Sequence, residues 1–542
     1  MSDNEQGDTR IEIEPFGPGP EVNDEVSEAV LDHPSVKEYL DGTRHRLLNV
    51  RLLDAEVEGK PDEPMPPDRY RATIYDYTNN RAVVATGRLD DVRGSLEVSV
   101  SGRQPLPTRD EFDEAVEVLL EDEDLGPAIE EQRLVPYRPM PPLVDEKSEL
   151  PDGRVERTLA VGLMPRGGGA RHEIVGANMV RRTVSRFEEG APALARAHAH
   201  TCGVDNANQT PTPRGFAGQF QVNTTASDGS PLWSFLVVRP SASQGTNASG
   251  VELRNVRYRG KLVLFEAHAP ILNVQYDGNV CGPFRDWLFE ESFIQADGTN
   301  VAPGIRRSQT PAQTILESGS DSGNFRGTAI YREGRETVLV CELQAGWYRY
   351  LSRWRFHDNG TIRPRFGFDA VRDTCVCNVH HHHVYWRFDF DIGGANNKVR
   401  EFNSPPIFPP DPWHTFQFEA RRRKRPNLSR RWQIRNPQTG DAYDLIPGAN
   451  DGVADDFARG DVWVLRYNDG QVDDGISAAP SQAGDPQANA PIAINRFVNG
   501  EDVSGQDVVV WYAAHFSHDV HEDEENGHTG HIVGPTLRPV QW

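Results

Sequence analysis

The sequence predicts a mainly β protein, in which a large antiparallel β-sandwich domain follows a small α+β domain. First, short β-like runs such as 233–238, 261–265 and 508–512 recur from about residue 150 onward, between Gly, Pro, Asn and Asp turns. Second, helical periodicity is scarce in the same region. Third, a chain of 542 residues, 37% of them hydrophobic, is long enough for one large core and a smaller one.

The chain begins with a polar stretch followed by helical patterns. Residues 1–22 are acidic and rich in Gly and Pro, which predicts a disordered tail. Two short helical patterns adjoin between Val22 and Leu40. The second is expected to begin at His33-Pro34, because proline suits the first turn of a helix.

The next part alternates apolar and polar residues, as half-buried strands do. Residues 46–57 and 70–89 show this alternation, with a turn at 78–80. A capping box at 108–111 then starts a helix. These elements predict a small α+β domain over residues 23–135.

A proline-rich segment separates the two predicted domains. Residues 136–149 begin with Pro-Tyr-Arg-Pro-Met-Pro-Pro, which cannot continue a helix or a central strand. A stiff linker is therefore predicted there, and the β-sandwich is expected to extend over 150–542.

The charge of the chain limits its partners. Lysine and arginine number 57 against 81 aspartates and glutamates, which gives a net charge of -24 at pH 7. Nucleic acid and anionic membrane surfaces would be repelled, so neither is expected as a partner. A soluble protein is predicted, because no window approaches the run of about 20 apolar residues that spans a bilayer.

The first residues and the cysteines bear on the cellular compartment. The N-terminal sequence lacks the basic and apolar segments of a secretory signal, which predicts a cytoplasmic protein. Five cysteines in a chain of this length do not predict a disulfide framework, which suits a reducing compartment. Cys375 and Cys377 do not have the spacing of a zinc ribbon and are predicted to be strand residues.

A run of four histidines is the sharpest local signal in the sequence. In a strand, side chains alternate between faces, so His380 and His382 point together while His381 and His383 point to the opposite side. Two imidazoles on one face form a bidentate metal site, and imidazole suits copper, zinc, iron and nickel. A solvated, accidental run of histidines explains this segment equally well.

A third ligand is expected from the C-terminal strand that ends in histidines. Spacing alone does not choose among the candidates, which are His515, His518, His521, His528 and His531. A second His-x-His pair, His198 and His200, follows an Ala-rich helical stretch and is predicted to lie on a surface turn.

Several landmarks occur together in one order. Residues 250–258 and 271–276 precede 285–290, which is Arg-Asp-Trp-Leu-Phe-Glu; the next landmark is Trp-Tyr-Arg-Tyr at 347–350. The His-x-His pair, Arg-x-Asp-x-Asp, Asp-Val-Val-Val-Trp and a terminal Leu-Arg-Pro follow. This order resembles the catalytic domain of the copper-containing amine oxidases, the topaquinone enzymes. The small N-terminal domain is similar to one of the family's own α+β domains.

The resemblance implies a role for each matching residue. It implies that His380, His382 and His518 are the copper ligands, that Tyr348 is the precursor of topaquinone, that Asp286 is the base that takes the Cα proton, and that Tyr276 hydrogen-bonds the quinone oxygen. Asp389, the carbonyl of Phe390, Asp391 and Asp507 match a peripheral site for calcium. The implied activity is oxidative deamination of a primary amine by dioxygen, giving aldehyde, ammonia and hydrogen peroxide, in a homodimer.

Two positions depart from the family's quinone motif. Trp347 and Arg349 occupy the places of an Asn and an acidic residue. The bulky Trp could block rotation of the ring during cofactor formation, and the Arg would repel a cationic amine or pair with a carboxylate. Two alternatives therefore stay open: a copper and dioxygen tailoring oxidase without topaquinone, and a metal-binding β-sandwich without turnover.

Overall fold

The computed structural model describes most of the chain. The described ranges are 9–57, 59–140, 142–144, 155–166, 172–186, 202–207, 209–216, 218–277, 281, 284–478, 492–518 and 531–542. The histidines at 198, 200, 521 and 528 lie outside them. Within these ranges no helix is long and apolar enough to cross a bilayer.

Strands make up most of the regular structure. The helices are α1 (Glu21–Asp32), α2 (Pro34–Leu40), α3 (Arg109–Leu120), α4 (Leu125–Glu130) and α5 (Ile315–Ser318). The strands up to residue 238 are β1 (Arg10–Pro15), β2 (His45–Leu53), β3 (Arg69–Asp76), β4 (Arg81–Arg88), β5 (Glu97–Ser101), β6 (Leu134–Tyr137), β7 (Thr158–Pro165), β8 (Glu173–Asn178), β9 (Thr183–Arg186), β10 (Gln219–Thr225) and β11 (Pro231–Val238). Those up to residue 390 are β12 (Glu252–Tyr258), β13 (Lys261–Tyr276), β14 (Phe284–Arg285), β15 (Phe293–Ile294), β16 (Thr299–Ala302), β17 (Ile305–Arg307), β18 (Phe325–Arg326), β19 (Thr328–Glu333), β20 (Glu336–Ala345), β21 (Tyr348–His357), β22 (Ile362–Ala370) and β23 (His380–Phe390). The last are β24 (Lys398–Phe402), β25 (Trp413–Thr415), β26 (Ala420–Arg422), β27 (Arg431–Arg435), β28 (Ala442–Ile446), β29 (Val462–Arg466), β30 (Val508–His518), β31 (His531–Val533) and β32 (Thr536–Gln541).

Two large sheets form the predicted sandwich. One has the order β1-β10-β11-β12-β13-β23-β30-β29-β26, and the other has the order β16-β17-β19-β20-β21-β22-β32-β28-β27-β24-β25. Almost all neighbours are antiparallel, although β17 and β19 run parallel. The inner faces share one apolar core, in which Phe235 of one sheet stacks on Phe356 of the other with ring centroids 4.3 Å apart. The predicted mainly β fold class is confirmed.

The predicted N-terminal helices, hairpin and capping box are present. Helices α1 and α2 pack on the sheet β2-β3-β4-β5, and the boundary between the helices is at His33, before Pro34. The Thr108 side chain accepts from the backbone N–H of Glu111, and the Glu111 carboxylate accepts from the backbone N–H of Thr108. This reciprocal pair satisfies two amides that the first turn of α3 leaves unpaired.

The structure differs from the predicted tail and linker. The alternating Ile11 and Ile13 lie in β1, which pairs with β10 at the edge of a large sheet, so residues 10–15 are ordered. The start of the proline-rich segment lies in β6, an edge strand, where Pro136 is tolerated because the missing N–H faces no neighbour. In both cases the segment is ordered because it pairs with a later strand, β10 for β1 and β7 for β6. Local composition does not reveal that partner.

A second small sheet crosses the predicted domain boundary. Strands β6 to β9 form it, and α3 packs on it through Phe112 and Leu119. Strands β7 to β9 were expected in the sandwich. Arg157 instead forms a fully buried ion pair with Glu111, at 2.6 and 2.7 Å, so the segment before β7 is fixed to the helical layer.

Candidate copper centre

Three histidines meet on the inner face of one large sheet. His380 of β23 is directly opposite His518 of β30 in the strand register, and His382 lies two residues further along β23. Ring centroids are 4.8 Å apart for His380 and His518 and 4.9 Å apart for His380 and His382. The side chain of His381 is 35% exposed and lies near Asp277, as expected from strand alternation.

The imidazole atoms of this cluster fit a metal ion. His380 Nδ1 lies 2.6 Å from the carbonyl oxygen of Asn378, so it donates a proton there and its Nε2 keeps a free lone pair. The Nε2 atoms of His380 and His382 are buried without a hydrogen-bond partner among the described residues. Burial lowers the pKa of both imidazoles well below the usual value, which keeps them neutral, the form that binds a metal. A set of imidazoles suits copper.

The other candidate histidines take different places. His515 lies on the opposite face of β30, with its Nδ1 3.0 Å from Nδ1 of His383. His531 of β31 is close to His518, with ring centroids 5.3 Å apart, and stacks on Phe368. His531 therefore borders the cluster, and its position depends on the pairing of β31 with β22, which the sequence does not indicate.

A disulfide-bonded turn leads into the first histidine. Cys375 pairs with Cys281 and Cys377 with Cys202, and both 375 and 377 lie in a short 3-10 turn rather than in a strand. The expectations of strand residues and of no disulfide framework were therefore wrong. The partners are 94 and 175 residues apart, so spacing could not identify them. The cysteine argument for a reducing compartment no longer holds, because disulfides persist in oxidising ones.

Tyr348 of β21 faces the histidines from the opposite sheet. Its ring centroid is 4.9 Å from that of His382 and 5.6 Å from that of His380. The Tyr348 hydroxyl is hydrogen-bonded to the hydroxyl of Tyr276. Burial raises the pKa of both phenols well above the usual value, so both are neutral. The ring thus lies in a dry environment beside the imidazoles.

A buried carboxyl group, that of Asp286, adjoins this cluster through Tyr350. Burial raises the pKa of Asp286 to about 7, although a hydrogen bond from the Tyr350 hydroxyl opposes the rise. The other carboxylate oxygen, Oδ1, is buried without a partner among the described residues. The Tyr350 oxygen also lies 3.3 Å from His382 Nδ1. Asp286 can therefore hold or release a proton near neutral pH.

Tyr350 was not assigned a role from the sequence. It stands two residues after Tyr348 on the same strand, so both rings lie on one face, with centroids 5.4 Å apart. It links Asp286 to His382 through its hydroxyl. The available sequence signal was the two-residue period of a strand, which places Tyr350 on the same face as Tyr348.

Arg349 turns away from the cluster, and Trp347 borders it. The Arg349 guanidinium pairs with Asp321, with Nε to Oδ1 at 2.7 Å, and both side chains are buried. Its charge is therefore neutralised by a protein carboxylate. Trp347 Nε1 donates to the Tyr276 hydroxyl at 3.0 Å, and the indole lies 5.9 Å from the Tyr348 ring, centroid to centroid.

The residues predicted for calcium also come together. The carboxylates of Asp389, Asp391 and Asp507 have oxygens within 4.8 Å of one another. Lys60, from the segment between β2 and β3, places its ammonium group among them. The structure therefore brings these acids together around a cation of the chain itself.

Comparisons with known proteins agree with this arrangement. Residues 363–542 match the family described as copper amine oxidase, enzyme domain. The copper-containing diamine oxidase of Homo sapiens is 25% identical over 390 residues, covering 57% of this chain and 51% of that protein. The primary amine oxidase of Klebsiella aerogenes is 24% identical over 188 residues, covering 23% of this chain and 25% of that protein.

Solved structures show the same fold. The copper-containing benzylamine oxidase from Hansenula polymorpha superimposes with a TM-score of 0.56 at 12% identity, covering 95% of this chain and 96% of that one. The Aspergillus nidulans amine oxidase gives 0.56 at 14% identity, covering 97% and 88%. The family resemblance predicted from the sequence is confirmed, at low identity.

The sequence matches cover only part of this chain and part of the related proteins. The chain spans about half the length of the diamine oxidase that it matches. The family match at 363–542 includes His380, His382 and His518 but begins after Tyr348 and Asp286.

Proposed function

We propose that this divergent relative of the copper amine oxidases is a copper-dependent oxidase of primary amines. In the overall reaction, a primary amine, dioxygen and water give an aldehyde, ammonia and hydrogen peroxide. The observation that supports it is the cluster between the two sheets in which the buried His380, His382, Tyr348 and Asp286 lie with the half-buried His518. Three imidazoles can hold a metal ion, and a buried carboxyl group with a raised pKa can act as a base beside the phenol.

The histidines would hold copper, with the free Nε2 atoms of His380 and His382 as donors and His518 as the third ligand. When bound, copper with dioxygen supplies the oxidation of the Tyr348 ring to topaquinone, whose carbonyl is an electrophile for an amine. The stiff pair of 11-residue strands fixes the directions of the three imidazoles that would hold the ion.

Asp286 is the proposed base. It takes the Cα proton of the bound amine at its free oxygen Oδ1, because a pKa near 7 lets the carboxylate be present at neutral pH and then keep the proton. Tyr350 donates to the other oxygen and so orients the carboxylate. Tyr276 holds the oxygen of residue 348 in place. Water exclusion follows from burial of all these side chains.

Two measurements test the proposal: whether Tyr348 becomes chemically modified, and whether turnover requires it. After aerobic copper loading, the peptide that contains Tyr348 should gain two oxygen atoms and lose two hydrogen atoms by mass spectrometry, and quinone staining should appear. Tyr348→Phe should abolish staining and turnover, whereas Tyr331→Phe, in a separate apolar cluster, should retain both. Peroxide release by Tyr348→Phe would refute the proposal.

A second candidate is a copper and dioxygen oxidase in which residue 348 stays a tyrosine. The observation that favours it is Trp347, whose ring lies against Tyr348 and whose N–H is donated to Tyr276. The Trp347 indole and its hydrogen bond to Tyr276 would hinder rotation of the Tyr348 ring. An unmodified Tyr348 peptide together with copper-dependent oxygen uptake would select this candidate. Tight copper binding without oxygen uptake across an amine panel would indicate a binding protein without turnover.

The family resemblance also supports a homodimer, which we propose for the chain. Sedimentation of the copper-loaded protein tests it, and a monomer at micromolar concentration would exclude it.

A further inference from the structure

A lysine occupies the centre of the acidic cluster at the far end of the ligand strands. Lys60 Nζ lies 2.6 Å from Oδ1 of Asp389, 2.9 Å from Oδ1 of Asp391 and 2.6 Å from Oδ1 of Asp507. The Lys60 side chain is only 10% exposed. Three short contacts to three carboxylates, each from one ammonium hydrogen, satisfy the full donor capacity of a lysine.

The surroundings of Lys60 suit an ammonium group better than calcium. Its Nζ lies 4.3 Å from the ring centroid of Tyr467 and 5.0 Å from that of Phe265, which are cation–π distances. Aromatic faces offer no oxygen ligand, whereas calcium takes six to eight oxygens at about 2.3–2.6 Å. One oxygen of each carboxylate, Oδ1, already accepts a hydrogen bond from Lys60.

The chain itself supplies two cations, Lys60 and Arg387, to this acidic cluster. Burial lowers the pKa of Lys60, but the three carboxylates outweigh it and raise the pKa overall, so the amine stays charged. Arg387 lies 3.7 Å from the second oxygen of Asp389 and pairs with Glu266. A divalent ion placed among the same carboxylates would be repelled by the Lys60 ammonium group and would have to displace it.

We propose that Lys60 is the resident cation of this site and replaces the metal ion that the sequence predicts for Asp389, Phe390, Asp391 and Asp507. The ammonium group joins the segment after β2 to the sandwich. Asp389 lies near the end of β23 and Asp507 precedes β30, and Phe390 is directly opposite Val508. Lys60 therefore fastens together the ends of the two strands whose other ends carry the histidines.

Removal of the lysine should uncover a cation site. Without Lys60, the three carboxylates, whose oxygens lie within 4.8 Å of one another, keep Arg387 as the remaining nearby cation among the described residues. Their mutual repulsion would be relieved by a hard divalent cation, because carboxylates at this spacing are calcium ligands. Lys60→Met keeps an unbranched apolar stem and removes the ammonium group, with its charge and its hydrogen-bond donors.

Terbium luminescence and calcium titration of the full chain test this inference. The wild-type protein should bind no calcium at the site and show no change in melting temperature. Lys60→Met should bind one terbium or calcium ion per chain, with Tyr467 as sensitiser, and calcium should raise its melting temperature by several degrees. Lys60→Met combined with Asp391→Asn should lose most of this binding.

Two further variants complete the test. Lys60→Arg should stay insensitive to calcium, and Lys261→Met, which removes an exposed lysine paired with Asp441, should behave like the wild type. Calcium binding by the wild-type protein that Asp391→Asn abolishes would overturn the proposal, as would a folded Lys60→Met that binds none. If Lys60→Met folds only when calcium is present, the proposal is supported. If it folds in neither condition, the wild-type titration decides.

Discussion

His380 and His518 lie directly opposite each other on neighbouring antiparallel strands, with ring centroids 4.8 Å apart. This register places the end of β30 beside the start of β23, although the two residues are far apart in the chain. Rigid neighbouring strands fix the two imidazoles before any metal arrives, which reduces the entropy that binding must overcome. The same register places His515 opposite His383, on the other face.

Replacement of the clustered histidines should remove copper. We expect His380→Ala, His382→Ala and His518→Ala each to lower copper affinity by more than about 100-fold, since a set of three ligands loses one. Copper per chain after dialysis against a chelator measures this. His381→Ala is the matched control, because its side chain points to the opposite face. Equal loss in the control, or retained copper in the three variants, would contradict the assignment.

The disulfide-bonded turn should contribute to copper affinity. The carbonyl of Asn378 orients His380, and Asn378 itself donates to the carbonyls of Thr374 and Cys375 within the turn. We expect Cys281→Ser with Cys375→Ser to lower copper affinity about 10- to 100-fold, the usual effect of losing an orienting contact. Competition with a chelator measures it.

Cys341→Ser is the control for that experiment, since Cys341 is a buried free thiol in β20, away from the turn. Unchanged affinity in the double variant, in a protein that retains its fold, would show that the turn is held without the bond.

Turnover should depend on deprotonation of Asp286. Because its pKa is about 7, kcat should rise with pH through about 7 and then level off. The Tyr350 hydrogen bond lowers this pKa, so Tyr350→Phe should move the midpoint to higher pH. Steady-state kcat profiles from pH 5 to about 9 measure both. A profile of Tyr350→Phe that moves to lower pH, or Asp286→Asn with wild-type turnover, would exclude this base.

Asp286 should also influence stability, independently of activity. Its folded pKa of about 7 lies above the value of about 4 for an unfolded aspartate, so between these pH values the folded chain holds a proton that the unfolded chain releases. The wild-type free energy of unfolding should therefore fall, relative to Asp286→Asn, as pH rises from about 4 to 7, by at most about 1.4 kcal/mol per pH unit. Denaturant titrations at several pH values measure the difference. A parallel pH dependence for the two proteins would contradict the raised pKa.

The local patterns of the sequence were enough to predict individual elements. Alternation placed His380 and His382 on one face of β23, and the capping box located the start of α3. Both signals are contained within a few neighbouring residues, where side-chain period and backbone hydrogen bonding decide the structure. The roles proposed for Tyr348 and Asp286 rest instead on the order of landmarks shared with a family.

Contacts between distant parts of the chain could not be predicted where no family landmark covers them. Lys60 is 329 residues from Asp389 and 447 from Asp507, and nothing near Lys60 indicates an acidic partner. Likewise, nothing near Cys377 indicates that it pairs with Cys202, 175 residues away. Such contacts depend on the arrangement of whole sheets, which no window of sequence contains.

Trp347 should control modification of the neighbouring tyrosine. The indole lies beside Tyr348, with ring centroids 5.9 Å apart, and donates to Tyr276, where the resembled family has a small Asn. We expect this bulk to hinder rotation of the Tyr348 ring. Trp347→Asn should therefore speed the copper-dependent mass change of the Tyr348 peptide, while loss of the buried indole costs about 3–5 kcal/mol of stability. The mass change is followed over time after aerobic copper addition. Trp432→Phe is the control for a general loss of packing. Trp432 is a buried tryptophan in β27, in another part of the same sheet. A slower change in Trp347→Asn than in the wild type, at equal copper occupancy, would mean that the indole positions the ring for oxidation instead of restraining it.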